Sequence, residues 1–115
     1  MALLTKADFL KHRPISTRTV HALGGRVRLK AMTACEKDLF EQSWLEFKGE
    51  GEEVPNVRAF FVIHHVVDEN DKLLFTIDDL EAVGNQPGVE IDKIFTAAQE
   101  LSGLSDEDEE ELKKK

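Results

Sequence analysis

The sequence predicts an α+β fold: a mainly helical single domain with an N-terminal β-hairpin packed on the helices. Three observations predict it. Ser or Thr stands three residues ahead of an acid at Thr5/Asp8, Thr33/Glu36, Thr76/Asp79 and Ser105/Asp108, the spacing at which a hydroxyl accepts from a free backbone N–H at a helix start. Apolar residues recur at helical spacing over 34–48 and 89–102, and alternate with polar ones over 16–31. A length of 115 residues suits one domain with a modest core.

The elements follow in order. Thr5/Asp8 opens a short helix near 5–12. In "ISTRTVHALGGRVRLKAM", Thr17, Thr19 and His21 alternate with Ser16, Arg18, Val20 and Ala22, and Val27, Leu29 and Ala31 with Arg26, Arg28 and Lys30. Gly24-Gly25 between the two runs permits the positive φ of a tight hairpin turn. A lone hairpin does not hold in water, so the Val27/Leu29 face must pack on the helices. Thr33 and Glu36 make the one box of the usual Ser/Thr–Glu type and start a long helix near 34–48. On it Leu39, Phe40, Trp44 and Phe47 share a stripe, while Leu45 projects away. "KGEGEEVPN", residues 48–56, reads as a surface loop.

"VRAFFVIHHVV", residues 57–67, has strand propensity but a helical angular pattern. At 100° per residue Ala59, Phe60, Val62, Ile63, Val66 and Val67 share one broad arc, with Arg58, His64 and His65 opposite. Helix is the reading, started by Pro55-Asn56. It leaves Phe61 on the polar side. Asp68–Asp71 then form a turn between helices, and Leu73, Leu74 and Phe75 return to the core. Thr76/Asp79 starts a helix near 77–83. The last helix, near 89–102, turns Ile91, Ile94, Phe95, Ala98 and Leu101 inward. Gly84 and Gly103 stand where helix ends take a left-handed residue. The domain is expected over 1–104, and "SDEDEEELKKK", 105–115, as a flexible acidic tail.

A net charge of −8 argues against a nucleic-acid partner, which needs a basic surface. No apolar run approaches the ~20 residues that cross a bilayer, so no membrane partner is expected. The start "MALLTKADFLKHRP" lacks the apolar centre of a signal peptide and predicts a cytoplasmic protein. Cys35 is the only cysteine, which excludes an intrachain disulfide and a thiolate cluster. On a helix, His64 and His65 lie about 100° apart, whereas ligands on one face are spaced by three or four. They read as two outward imidazoles. As a calcium loop the acidic run fails, because Lys72 falls at the fifth position and Leu73 where glycine is required. No triad, phosphate loop or apolar carboxylate pair emerges. The sequence thus predicts no catalytic residue, metal or cofactor; an enzyme built on His64, His65, Asp68 and Asp71 is set aside. The candidate partner-binding residues are Arg58, Phe61 and His65, where an aromatic beside an arginine has the composition of an interface hot spot, together with Leu45.

Three segments, "GGRVRLKAMTACEKDLFE" (24–41), "VVDENDKLLFTIDDLEAVG" (66–84) and "IDKIFTAAQELSGLSDED" (91–108), resemble the tail assembly chaperones of long-tailed bacteriophages. The likeness lies in a basic-apolar strand leading to a Thr-capped helix, a Val-Asp-Glu turn, a Phe-Thr-x-x-Asp cap and a terminal Ala-rich helix ending in Leu-x-Gly-Leu. One departure is Asn70-Asp71, where the family often has Asp-Gly. The resemblance implies a non-enzymatic protein that binds the tape-measure protein and keeps it soluble while tail-tube subunits polymerise around it. It also implies the tail-tube protein as a second partner, a capacity for self-association, action in the host cytoplasm, and absence from the mature virion. A structural minor or completion component of the tail is the alternative.

Overall fold

Residues 2–49 and 54–103 are described by the computed structural model of the protein. Strands β1 (Thr17–Ala22) and β2 (Gly25–Lys30) pair antiparallel, from Thr17 opposite Lys30 to Ala22 opposite Gly25. The two residues between them, Leu23 and Gly24, have φ of 55° and 77°. Both are positive, as the mirror-image turn that matches strand twist requires. The turn is therefore centred one residue earlier than Gly24-Gly25: Gly25 already belongs to β2, and a leucine occupies a left-handed position.

Directly opposed residues share a face, so Arg18, Val20, Ala22, Val27 and Leu29 form the inner side of the hairpin. Ala22 and Leu29 are buried. This face packs on α5 (Gly88–Ser102), and the Arg18–Glu100 ion pair, 2.7 Å, ties its edge to the same helix. A third strand, β3 (Val66–Val67), pairs with β2 and adds Val66 opposite Leu29, while Leu73 bridges to Val67 beyond it.

The other helices are α1 (Lys6–Phe9), α2 (Ala34–Lys48), α3 (Val57–Ile63) and α4 (Leu80–Gly84), the last entered through a 3-10 turn at Ile77–Asp79. Two predicted caps form reciprocal boxes. Thr5 and Thr33 accept from the N–H of Asp8 and Glu36 at 3.2 and 3.1 Å, and the two carboxylates accept in return. At the third, Asp79 accepts from the Thr76 N–H at 2.9 Å. Ser105/Asp108 and the acidic tail lie outside the described residues. Gly103 closes α5 in the left-handed region, φ 73°. Gly84 does not; its missing Cβ instead leaves room for the Asn56 side-chain amide.

At the centre stands α3, where Ala59, Phe60, Phe61, Val62 and Ile63 are all buried. It packs on α4 and α5. The long helix α2 reaches it through one aromatic stripe: Phe40 and Trp44 lie 5.5 and 5.8 Å from the Phe60 ring, and Phe47 stacks on it at 4.6 Å. Leu39 is not part of that stripe but exposed. Leu73 and Leu74 are also exposed, and of the three residues expected to return to the core only Phe75 packs against it. A non-glycine residue in the left-handed region costs about 1 kcal/mol, and asparagine tolerates that region better than leucine. Leu23→Asn is therefore expected to raise stability by about 0.5–1 kcal/mol, read as a higher urea midpoint with an unchanged slope.

Candidate functional site

The adjacent histidines explain themselves at the end of α3. A helix leaves its last carbonyls without partners. The chain tightens there, with the His64 N–H donating to the Phe61 carbonyl at 3.3 Å and the His65 N–H to Val62 at 3.0 Å. Each imidazole then folds back four residues: Nδ1 of His64 meets the Phe60 carbonyl at 2.7 Å and Nδ1 of His65 meets that of Phe61 at 2.8 Å. Because a carbonyl only accepts, both rings carry their proton on Nδ1 when neutral. The pair is a side-chain cap for the helix C-terminus.

His65 does more. It is 1% exposed, and its Nε2 accepts from the Ser102 hydroxyl at 2.7 Å. Its backbone carbonyl accepts from the Lys30 N–H at 3.0 Å. One residue thus joins the ends of α3, α5 and β2. Burial of the ring pushes its pKa down to about 4, against the opposing pull of the Phe61 carbonyl.

These contacts correct the expectation for residues 57–67. The helix ends at Ile63, Val66-Val67 form a strand, His64 is half-buried and His65 faces inward. Phe61, expected on the outer side, is 3% exposed; its ring stacks on His65 at 4.4 Å and meets Phe95 edge-on at 5.0 Å. Neither Phe61 nor His65 presents a surface to a partner in this fold. Arg58 is half-exposed, lies with its guanidinium 6.0 Å from the Phe95 ring, and binds Asp92 through Nε at 2.9 Å. Leu45 stands exposed on α2. The four candidates therefore form no single site: two are core, one spans the α3–α5 boundary, and one lies on a separate helix face.

The acidic run is the turn of a second, short hairpin, not a junction between helices. Asp68 Oδ1 accepts from the N–H groups of Asn70 and Lys72 at 2.8 and 3.1 Å, and Asp71 takes a left-handed φ of 62°. Arg28 Nε donates to Asp71 at 2.7 Å and holds its carboxyl below the usual range. Among the described residues no group of three or more His, Cys, Asp or Glu is placed to hold a metal ion, and no helix is long and apolar enough to cross a membrane.

Of three surface features, the sequence pointed only to Leu45 on the first. On the outward face of α2, Leu39 and Leu45 are 58% and 56% exposed among the exposed acids Asp38, Glu41 and Glu46. Between the hairpin tip, β3 and α4 lies a cleft of about 450 Å³, lined by Val27, Val67, Phe75, Val83 and Ile94, with exposed Leu23 and Leu74 at its rim. The arm before β1 leaves Leu3, Leu4, Phe9 and Leu10 uncovered. On α2 and the arm the sequence signal was an apolar residue at the edge of a helical arc or in a short, isolated helix; the cleft rim gave none, since Leu23 lies in the hairpin turn and Leu74 outside any helix. Comparison with protein-family models, with curated proteins and with solved structures finds no match to this chain.

Two outcomes follow from the packing. Phe61→Ser is expected to cost about 3–5 kcal/mol, because it empties a core site and buries a hydroxyl, so its first readout is a collapsed melting temperature. The second concerns pH. His65 titrates lower in the folded protein than the ordinary value of 6.5, so the unfolded chain binds the proton more readily. Its neutral form supports the fold fully above pH 6.5, and that support is lost as pH falls from 6.5 through about 4. The loss is on the order of 3 kcal/mol. Urea melts at pH 7 and pH 4.5 should differ more for the wild type than for His65→Gln, which has no such titration.

Proposed function

We propose that this protein is a tail assembly chaperone of a long-tailed bacteriophage, acting by stoichiometric binding rather than catalysis. Its partner in this reading is the tape-measure protein, a long helical chain that aggregates when its apolar stripes are bare. The protein holds that chain soluble while tail-tube subunits polymerise around it in the host cytoplasm. The resemblance across residues 20–108 supports the reading from the sequence. The observation that carries it from the structure is the outer face of α2, where Leu39 and Leu45 stand out on an acidic surface. Apolar side chains can cover part of an amphipathic helix, and the surrounding carboxylates keep the complex in solution. The two adjacent histidines are taken up by the helix end.

Co-expression with the long coiled-coil product of the neighbouring reading frame tests the proposal. That chain is expected to become soluble and to co-purify. A Leu39→Asp/Leu45→Asp variant should lose about tenfold or more in recovered partner. Its melting temperature should fall by only a few degrees, roughly the cost of helix propensity, since both side chains are more than half exposed. A partner that stays insoluble with the wild-type protein would reject the reading. Recovery of the protein in purified virions would favour the minor or completion component instead.

A further inference from the structure

We infer that the acidic C-terminal segment, residues 104–115, docks along the outer face of its own β1–β2 hairpin, as an electrostatic strap over a row of cations. The row follows from the strand register. Residues 26, 28 and 30 of β2 oppose residues 21, 19 and 17 of β1 on the face turned away from α5. Arg26, Arg28 and Lys30 therefore stand in line there, with His21 beside Arg26. The face is open: Thr17, Thr19, His21 and Arg26 are exposed, and Arg28 and Lys30 are half-buried. Residues 17–32 hold no acid. Arg28 is bound to Asp71 of the neighbouring turn at 2.7 Å, while Arg26 and Lys30 form no ion pair with a described residue. Like charges about 7 Å apart on one face repel, and an anion laid along them relieves that repulsion.

Charge, spacing and the place where α5 ends select the occupant. Residues 106–111 are six acids in succession, the longest acidic run in the sequence. In an extended chain every second side chain shares a side, so alternate acids recur at the same step of about 7 Å as the cations of β2. The Ser102 hydroxyl donates to His65 Nε2 at 2.7 Å, and the carbonyl of that same histidine accepts from the Lys30 N–H at 3.0 Å. The chain thus leaves α5 one residue's width from the Lys30 end of the row, and Gly103, with φ 73°, turns it out of the helix. The arm offers no comparable row, since Arg13 is turned onto the carbonyls that end α1.

The length of the segment also fits. Passing from the helix layer to the outer face covers about 10 Å and a side chain's reach, which takes about four residues from Gly103. That brings Glu107 to Lys30, Glu109 to Arg28 and Glu111 to Arg26, so the acids end where the row ends. Lys113, Lys114 and Lys115 then fall past the hairpin tip, clear of the cations. Individual exposed pairs are weak, but tethering raises the local concentration of the segment to the order of millimolar. A bare row of this kind takes up anionic polymers; the strap keeps the chain's own carboxylates on it and shields the hairpin from nucleic acid.

The test uses the full-length chain alone and is independent of the tape-measure reading. A nitroxide is attached at Glu109→Cys on a Cys35→Ser background, and backbone amide signals are compared before and after its reduction. Signals over 17–21 and 26–30 are expected to lose about half their intensity or more, and to regain it at about 1 M salt, where the screening length is about 3 Å. Arg26→Gln/Lys30→Gln in the same chain should restore them at low salt. Replacing the acids of 106–111 by Asn and Gln in the otherwise native chain should turn a protein that passes through a heparin column into one that is retained. The inference is overturned by hairpin signals that keep full intensity, by loss spread evenly over the molecule or centred on the arm, or by loss that survives Arg26→Gln/Lys30→Gln. It is equally overturned by loss that arises only between a nitroxide-bearing chain and a second copy without one, or by a neutral-segment chain that heparin does not retain.

Discussion

Burial of α3 is the constraint on which the rest of this structure depends. A helix apolar on nearly every side must be enclosed, and seven residues are too few to be helical by their own propensity. Each neighbour closes one sector. The aromatic stripe of α2 covers Phe60, α5 brings Phe95 against Phe61, α4 contributes Val83, and the sheet adds Leu29 and Val66. Full burial of one large apolar side chain is worth about 1.5–3 kcal/mol. The hold on α2 comes almost entirely from Phe40, Trp44 and Phe47. That leaves the opposite face of the same helix free of structural duty.

Enclosing a short helix creates a second problem, which the histidine pair solves. The last carbonyls of α3 lie among buried and half-buried side chains, and an unpaired buried carbonyl costs about 1–3 kcal/mol. A longer helix would carry the ladder onward, but β3 must start at Val66 to complete the sheet. Two imidazoles folding back onto Phe60 and Phe61 satisfy those carbonyls within two residues of chain. His65 then extends the arrangement to Ser102, so the end of α5 is registered against the end of α3. Neutral histidine suits this place because it is both donor and acceptor, and burial keeps it neutral at physiological pH.

Much of the architecture was legible because local chemistry and the fold agree. Thr33 with Glu36 located the start of α2, the alternation over 16–31 located both strands and the inner Val27/Leu29 face of the second, and the spacing of Ile91, Ile94, Phe95 and Ala98 located α5. The centre was misread for a definite reason. The polar arc of residues 57–67 was defined by Arg58, His64 and His65, and the two histidines are not in the helix at all. With them removed, only Arg58 marks an outward side, and Phe61, one turn away, is covered by Phe95 of α5 and by the His65 ring. Periodicity carries no warning that a helix stops where its ring-bearing residues turn back to cap it. The Gly24-Gly25 doublet misled in a smaller way: glycine permits a positive φ without demanding it, and the strand register placed Leu23 in the turn. For the surface, Leu73 and Leu74 follow a turn in a pattern any core strand would show, so only packing could separate them from Phe75.

The distribution of apolar residues bears on how such a chain can associate. Most of its aromatic rings are consumed inside, around α3, and the uncovered apolar surface is largely leucine, in separate places on α2, on the cleft rim and on the arm. Leucine on a charged surface offers area without the directional chemistry of an arginine or tryptophan anchor, which suits partners recognised by an apolar stripe. Charge is spread unevenly over these patches. Residues 1–16 hold three cations against one acid, a net of about +2, while the whole chain is −8, so everything beyond the arm is close to −10. Two bodies of that charge repel at short range, and the leucines of α2, set among Asp38, Glu41 and Glu46, are screened from their own kind. The arm shares its positive sign with the hairpin, where Arg18, Arg26, Arg28 and Lys30 stand with no acid over residues 17–32. The acidic face of α2 therefore disfavours a partner of like charge.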